Sequence, residues 1–191
     1  DVQLKKLNVD IQLNSRKSTE ELTQAGFDEV ILATGIAPRK LAIEGIDHPK
    51  VKSYLQVLKD KEPIGNNVAI IGAGGIGFDV ACYLAEEKSL TPEPEAWLKS
   101  WGVDKGYQHN AALLPSAEHE KTSRTIHLLQ RKTTKVGAGL GKTTGWIHRA
   151  TLAKNGVSMI AGVSYKKIDD QGLHIEVDGK TQLLAVDDVI I

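Results

Sequence analysis

Thiols are almost absent from this chain: Cys82 is the one cysteine in 191 residues. A single thiol excludes an intramolecular disulfide. It also excludes a cysteine-ligated cluster, or a C-x-x-C dithiol centre, built from the chain's own side chains. So thiol-poor a sequence fits a reducing, cytoplasmic setting. Excess charge is absent too, because 24 Lys+Arg face 24 Asp+Glu and the formal net charge is zero. That removes the global electrostatic case for nucleic acid or an anionic membrane as partner. No apolar run approaches the roughly 20 residues that a membrane-spanning helix needs. The opening Asp1-Val2-Gln3-Leu4-Lys5-Lys6 lacks a signal-peptide pattern. The histidines (His48, His109, His119, His127, His148 and His174) show no metal-ligand spacing and no H-E-x-x-H, so no metal site is expected.

What is present is ordinary for a globular protein, with 41% hydrophobic and 25% charged residues. Alternation at Val9, Ile11 and Leu13 predicts a short strand. Ser18 and Glu21 have capping-box spacing and predict a short helix that ends by Gly26. Residues 27–35 read as a buried strand entering a small-residue turn. A helix over 53–60 is expected to turn Tyr54, Leu55 and Leu58 to one side. Residues 67–71 are an apolar strand, followed at once by glycines and by a helix running to Glu87. The stretch 88–123 is polar, contains Pro92, Pro94 and Pro115, and reads as a partly ordered insertion. In it Trp97 and Trp101 share a helix face. A strand over 125–130, a second glycine-rich turn, a helix over 146–154 with an Asn155-Gly156 stop, and a strand over 157–160 follow. The last third predicts a three-stranded antiparallel meander near 163–168, 173–177 and 182–185, with a closing strand at 189–191. Because the sequence stops within that buried strand, a piece of a longer polypeptide is expected.

The fold class expected is α/β: a Rossmann-like βαβ dinucleotide-binding unit with a three-stranded antiparallel meander. Its signature is Gly72-Ala73-Gly74-Gly75-Ile76-Gly77, a G-x-G-x-x-G placed between strand and helix. Gly72 permits the tight turn, Gly74 lets a pyrophosphate approach the backbone, and Gly77 lets helix and strand pack closely. The helix's free N–H groups and positive end then face the phosphates. An NAD site ends its second strand in a carboxylate for the ribose 2′-OH, whereas this strand ends Gln130-Arg131-Lys132. Arg131 offers a planar fork and Lys132 a second charge, which favours the 2′-phosphate of NADPH. NAD(H) remains if both are simply solvated surface charges. The insertion makes the alignment of this second strand an inference. Gly139-Leu140-Gly141-Lys142-Thr143-Thr144 is no Walker A loop, since the required first glycine position holds Val136. Lys142, Thr143 and Thr144 instead suit helix capping or extra contact with the dinucleotide.

Residues 30–35 resemble the "ATG" strand that closes the FAD domain of two-dinucleotide flavoproteins, and residues 186–191 resemble the same closing pattern. The chain is most similar to the bacterial NADPH-dependent 2,4-dienoyl-CoA reductases, relatives of trimethylamine dehydrogenase and old yellow enzyme. The segments that carry the resemblance are 33–39, 45–51, 68–79, 129–132 and, most specifically, 139–149. It implies residues 1–45 as part of an incomplete FAD-binding domain, 46–66 as a connection, and 67–191 as the NADPH-binding domain. It implies that Ala33, Thr34 and Gly35 lie near FAD, while Gly72 to Gly77 and Arg131 hold NADPH. It further implies hydride transfer from NADPH to FAD, then electron flow through a 4Fe-4S cluster to FMN. The FMN barrel and the rest of the FAD domain would lie upstream. No residue here is a chemical catalyst on this reading, and the chain alone would be inactive. A reductase with a different acceptor, a non-catalytic nucleotide-binding domain used for docking, and a free-standing NADP sensor stay open. Exposed apolar surface is expected on residues 1–40.

Overall fold

The computed structural model describes residues 2–86, 90, 92–117 and 121–191. The expected helix end at Glu87, the start of the insertion at Lys88, and His119 fall outside them. Two units are distinguished, residues 2–38 and residues 39–191.

The first unit contains two short helices, α1 (Val2–Lys6) and α2 (Thr19–Gln24), neither with a buried residue. The capping box forms as the sequence requires: Glu21 N–H donates to Ser18 Oγ at 3.2 Å, and Ser18 N–H to Glu21 Oε2 at 2.7 Å. Gly26 then takes φ +70° and stops the helix. The two strands expected here do not form. Val9, Ile11 and Leu13 lie in irregular chain between Asn8 and Asn14, both at positive φ. Residues 27–35 are irregular as well, with Ile31 90% and Leu32 78% exposed. A fully apolar strand is stable only between hydrogen-bonding neighbours with both faces covered, and residues 2–38 supply neither. The exposed apolar surface expected of this segment is therefore present.

The second unit is built on a five-stranded, wholly parallel sheet in the order β1-β8-β2-β3-β4. Its strands are β1 (Val51–Lys52), β2 (Asn67–Ile71), β3 (Thr125–Leu129), β4 (Ser158–Ile160) and β8 (Asp188–Ile190). Residues 46–66, expected as a connection carrying a helix over 53–60, supply that helix as α3 (Tyr54–Leu58) and an edge strand besides. In α3, Val57 is buried and Tyr54 and Leu58 pack on the core, but Leu55 is exposed, contrary to expectation. The helix is barely more than one turn, so only a narrow face reaches the sheet.

Period-two alternation sorts the strands onto two cores. Val68, Ile70, Ile126, Leu128 and Ile190 face α4 (Gly75–Ala85) and α6 (Gly145–Lys154). Ala69, Leu129 and Val189 face the meander β5 (Ser164–Asp169), β6 (Gly172–Val177) and β7 (Lys180–Leu184). The meander is antiparallel, as its turn chemistry predicted, with Asp178 and Gly179 both at positive φ in the β6–β7 turn. α6 stops at Asn155 with Gly156 at φ +79°, also as read from the sequence.

The described residues of the insertion form a short helix and a side-chain-braced loop. α5 (Pro94–Ser100) brings Trp97 and Trp101 to 6.2 Å between ring centroids. Lys154 Nζ sits 4.3 Å over the Trp101 ring and donates to the Ser100 carbonyl, so this segment is tied to the end of α6. Asp104, with 9% of its side chain exposed, accepts from His109 Nδ1 and from the amides of Gly106, Gln108 and His109. These bonds, His109's ring first, hold its carboxyl down to about 2. A lowered folded value means the stabilisation is complete above the ordinary carboxyl range and is lost as pH falls through the folded value. Amide resonances of Gly106, Gln108 and His109 are therefore expected to collapse together as pH drops from about 4 to about 2. Unchanged dispersion at the lower end would show that the loop does not depend on the carboxylate.

Candidate functional site

Parallel strands all present their carboxyl ends to one edge, and that edge carries the glycine turn. Gly72 takes φ +110°, a conformation open to glycine, and its N–H donates to Leu129 O at 2.9 Å, continuing the β2–β3 ladder. Gly74 is the N-cap of α4, and no side chain caps the helix. The amides of Gly75, Ile76 and Gly77, in the helix's first turn, have no carbonyl four residues back to bond. A Cβ built on Gly72, Gly74 or Gly75 would meet nothing within 4 Å. The space over this helix end is therefore open, and its electrostatic character suits an anion. At Gly77 the reverse holds: a Cβ would collide with the Gly72 carbonyl oxygen and lie 3.5 Å from Leu128 Cδ1. Ala73 is half-buried against the helical core and Ile76 is 38% exposed beside the turn. The glycine pattern thus divides into open positions and one closed packing position, as a pyrophosphate cradle requires.

Register places Arg131 beside this turn. Ile71 pairs with Leu129, so the chains leave β2 and β3 side by side, about 4.8 Å apart. Gln130 organises the exit from β3, its Nε2 donating to Lys132 O at 3.0 Å and to Thr134 O at 2.6 Å. Gly162 N–H donates to Lys132 O at 2.9 Å. Arg131 and Lys132 are both exposed, and no described residue forms a hydrogen bond or ion pair with either side chain. Arg131 is close enough to Tyr165 to lower its phenol slightly, although burial dominates and pushes that phenol up to about 12. No carboxylate occupies the end of β3.

The second glycine turn packs against Phe78 of α4. Gly137, at φ +73°, approaches Phe78 so closely that a Cβ there would lie 2.6 Å from Phe78 Cζ. Arg149 Nη1 donates to Gly137 O at 3.0 Å, and His148 meets the Phe78 ring edge-on at 6.4 Å. Two adjoining hollows, of about 580 and 350 Å³, open beside this turn and share Lys135, Trp146 and Arg149. The sequence reading passed over Lys135 and these hollows. Its available signal was Trp146, a large apolar residue at the start of a helix where a solvated position would suit a polar one.

Ala33, Thr34 and Gly35 belong to the first unit, exposed in irregular chain with Gly35 at φ +76°. His127 lies within β3, and burial lowers its pKa. Cys82 is packed in α4, where burial, then Glu86 and Asp79, push its thiol up to about 11, so it is a poor nucleophile. Among the described residues no group of three or more His, Cys, Asp or Glu could hold a metal ion. None of the helices they form is long and apolar enough to cross a membrane.

Comparison with known proteins agrees with this architecture. The profile of the pyridine nucleotide-disulphide oxidoreductase family matches residues 2–191. A cinnamate reductase of Clostridium sporogenes is 45% identical over 84 residues, which are 44% of this chain and 12% of that protein. A metal reductase of Desulforamulus reducens is 27% identical over 198 aligned positions, covering 97% of this chain and 27% of that protein. The chain therefore spans about a quarter, or less, of the length of these relatives. Among solved structures, a 2-naphthoyl-CoA reductase complex aligns with a TM-score of 0.64 and 21% identity over 99% of this chain and 23% of its own. An amine oxidase of Pseudomonas geniculata aligns at 0.59 with 16% identity over 96% of this chain and 24% of its own. These two share the fold.

Proposed function

This chain belongs to the pyridine nucleotide-disulphide oxidoreductase family, flavoproteins that bind FAD and NAD(P)H, and from that premise we propose that it is the NADPH-binding part of a flavin-dependent reductase. The observation that carries the reading is the open amino end of α4 beside an unpaired Arg131. The amides of Gly75, Ile76 and Gly77 hold the pyrophosphate, with Gly72, Ala73 and Gly74 shaping its approach. Arg131, supported by Lys132, takes the 2′-phosphate in a bidentate, charge-assisted contact. When bound, NADPH supplies a hydride and FAD accepts it; the chain's own residues position the cofactor rather than react. Residues 1–45, including Ala33, Thr34 and Gly35, form part of the FAD-binding domain, with 67–191 as the NADPH-binding domain.

The acceptor in this reading is a 2,4-dienoyl-CoA, reached through a 4Fe-4S cluster and FMN in upstream domains of a cytoplasmic protein. The resemblance of residues 139–149 to that enzyme group supports it. A different acceptor is the second reading, favoured by relatives named for cinnamate and for metals.

Calorimetric titration with NADPH and NADH, repeated on Arg131→Ala, tests the cofactor assignment. NADPH is expected to bind at least about tenfold more tightly than NADH, about 1.4 kcal/mol, with the preference lost in the variant. Equal affinities in the unaltered protein would keep the glycine site and remove the 2′-phosphate role. Failure to bind either would remove both.

A further inference from the structure

The core grips α6 lightly. Of its ten residues only Gly145 and Leu152 are buried. One buried side chain fixes how near the helix lies to the sheet, but not how it is turned about its own axis. That rotation matters towards the amino end, where Arg149 Nη1 donates to Gly137 O at 3.0 Å and His148 meets the Phe78 ring edge-on.

A second hold comes from the insertion between α4 and β3. Lys154, the basic residue in the last turn of α6, donates to the carbonyl of Ser100, the last residue of α5. Its Nζ also sits 4.3 Å over the Trp101 ring. The charge thus lies between two helix carboxyl ends, whose partial negative charges attract it. Burial lowers the Lys154 pKa, the mark of an ammonium drawn out of water. Its landing surface is stiff: Ser100 is 5% exposed, its Oγ donates to Trp97 O at 2.7 Å, and Trp97 lies 6.2 Å from Trp101 between ring centroids. At the far end of the insertion, one residue before β3, Arg124 Nη1 donates to Leu84 O at 3.1 Å in the last turn of α4. α4 has no basic residue of its own in that turn. The insertion therefore grips the carboxyl ends of the two helices whose amino ends adjoin the glycine turns.

From this arrangement we infer that Lys154 and Arg124 are positioning residues, through which the insertion sets the rotation of α6 against α4 and so the seat of Arg149 on the second glycine turn. A ten-residue helix is about 15 Å long, and rotation about its axis passes along it undiminished. The consequence for NADPH rests on the reading of Gly72 to Gly77 as a pyrophosphate site, whereas the tie between insertion and second turn does not.

Hydrogen exchange followed by NMR, with calorimetric titration of NADPH, tests this on the unaltered protein, Lys154→Met, Lys154→Arg and Arg124→Met, each held well below its melting temperature. The reporting amides are Gly145, Ile147 and His148, which bond Gly141 O and Thr144 O at the far end of α6. Leu173 and Ile175 in β6 are the reference amides. Lys154→Met is expected to speed exchange at the three α6 amides by at least about fivefold relative to β6, and to weaken NADPH by at least about fivefold. Lys154→Arg, which keeps charge and donor, should restore most of both. Arg124→Met should act in the same direction, and a variant identical to the unaltered protein would remove Arg124 from the inference. Exchange that is unchanged at the amino end of α6, or that rises equally in β6, overturns the inference, the latter because it reports lost stability alone. Selective loosening with NADPH affinity unchanged overturns the positioning role. Selective loosening when even the unaltered protein fails to bind NADPH upholds the tie to the second turn and sinks the glycine reading instead.

Discussion

Gly77→Ala is expected to cost about 3 kcal/mol or more and to lower the melting temperature by roughly 10 °C. The added Cβ meets the Gly72 carbonyl oxygen, and neither backbone can move freely. Gly72 is held through its N–H by Leu129 O, and Gly77 begins the buried side of α4. Relief requires lifting the helix from β2 and β3, which opens the core around Val68, Ile70 and Leu128. Against a total stability of about 5–15 kcal/mol that is a large share. Gly74→Ala is the matched comparison. Its Cβ enters open space, so the cost is confined to a poorer N-cap, about 0.5 kcal/mol. Thermal melts of the two variants check the contrast. Equal melting temperatures would mean that the helix yields at Gly77 without penalty, and the packing role of that glycine would fall.

Phe78→Ala is expected to cost about 3–5 kcal/mol, the usual range for deleting a fully buried ring. Phe78 is 1% exposed and is among the largest fully buried side chains of the second unit. It also joins the two glycine turns, through close approach to Gly137 and its edge contact with His148. Its loss leaves a cavity between them that backbone as constrained as Gly137 cannot fill. Chemical denaturation should show the loss as a lower midpoint with little change in slope. Phe78→Leu, which restores most of the volume, should recover over half of it. A loss below about 1 kcal/mol for alanine would show that the second turn is not anchored by this ring.

The second unit was legible because its signals are local and redundant. In residues 67–77 an apolar strand, a glycine turn and a helix follow without interruption, and β2 falls on the expected residues. The meander is equally open to reading, because Asp178 and Gly179 dictate its turn. Within residues 27–35, Val30-Ile31-Leu32-Ala33 is as apolar a run as Val68-Ala69-Ile70-Ile71 of β2, but it forms no strand. Apolar density records a demand for neighbours and not their presence. Likewise β1, two residues long, exists through pairing with β8, and its own composition carries no strand signal. At the site, open and closed glycines follow from spacing. The hollow beside Trp146 does not, since Lys135, Trp146 and Ala161 come from three segments that only the β3–α6–β4 crossover assembles.

The place of β8 in the sheet also sets an order of assembly. β2 is flanked by β3 on one side and β8 on the other, and Asn67 meets Asp187 across 120 residues of sequence. β1 has β8 as its one sheet neighbour. A nascent chain can therefore complete the α4 crossover and leave one margin of β2 bare until residues 188–190 have been made. During that interval Val68, Ala69 and Ile70 offer a naked hydrogen-bonding border to any extended segment nearby. The long separation slows the native pairing and lengthens the exposure. Docking of β8, which closes both the β2 and the β1 pairings, is thus expected to be a late step of folding.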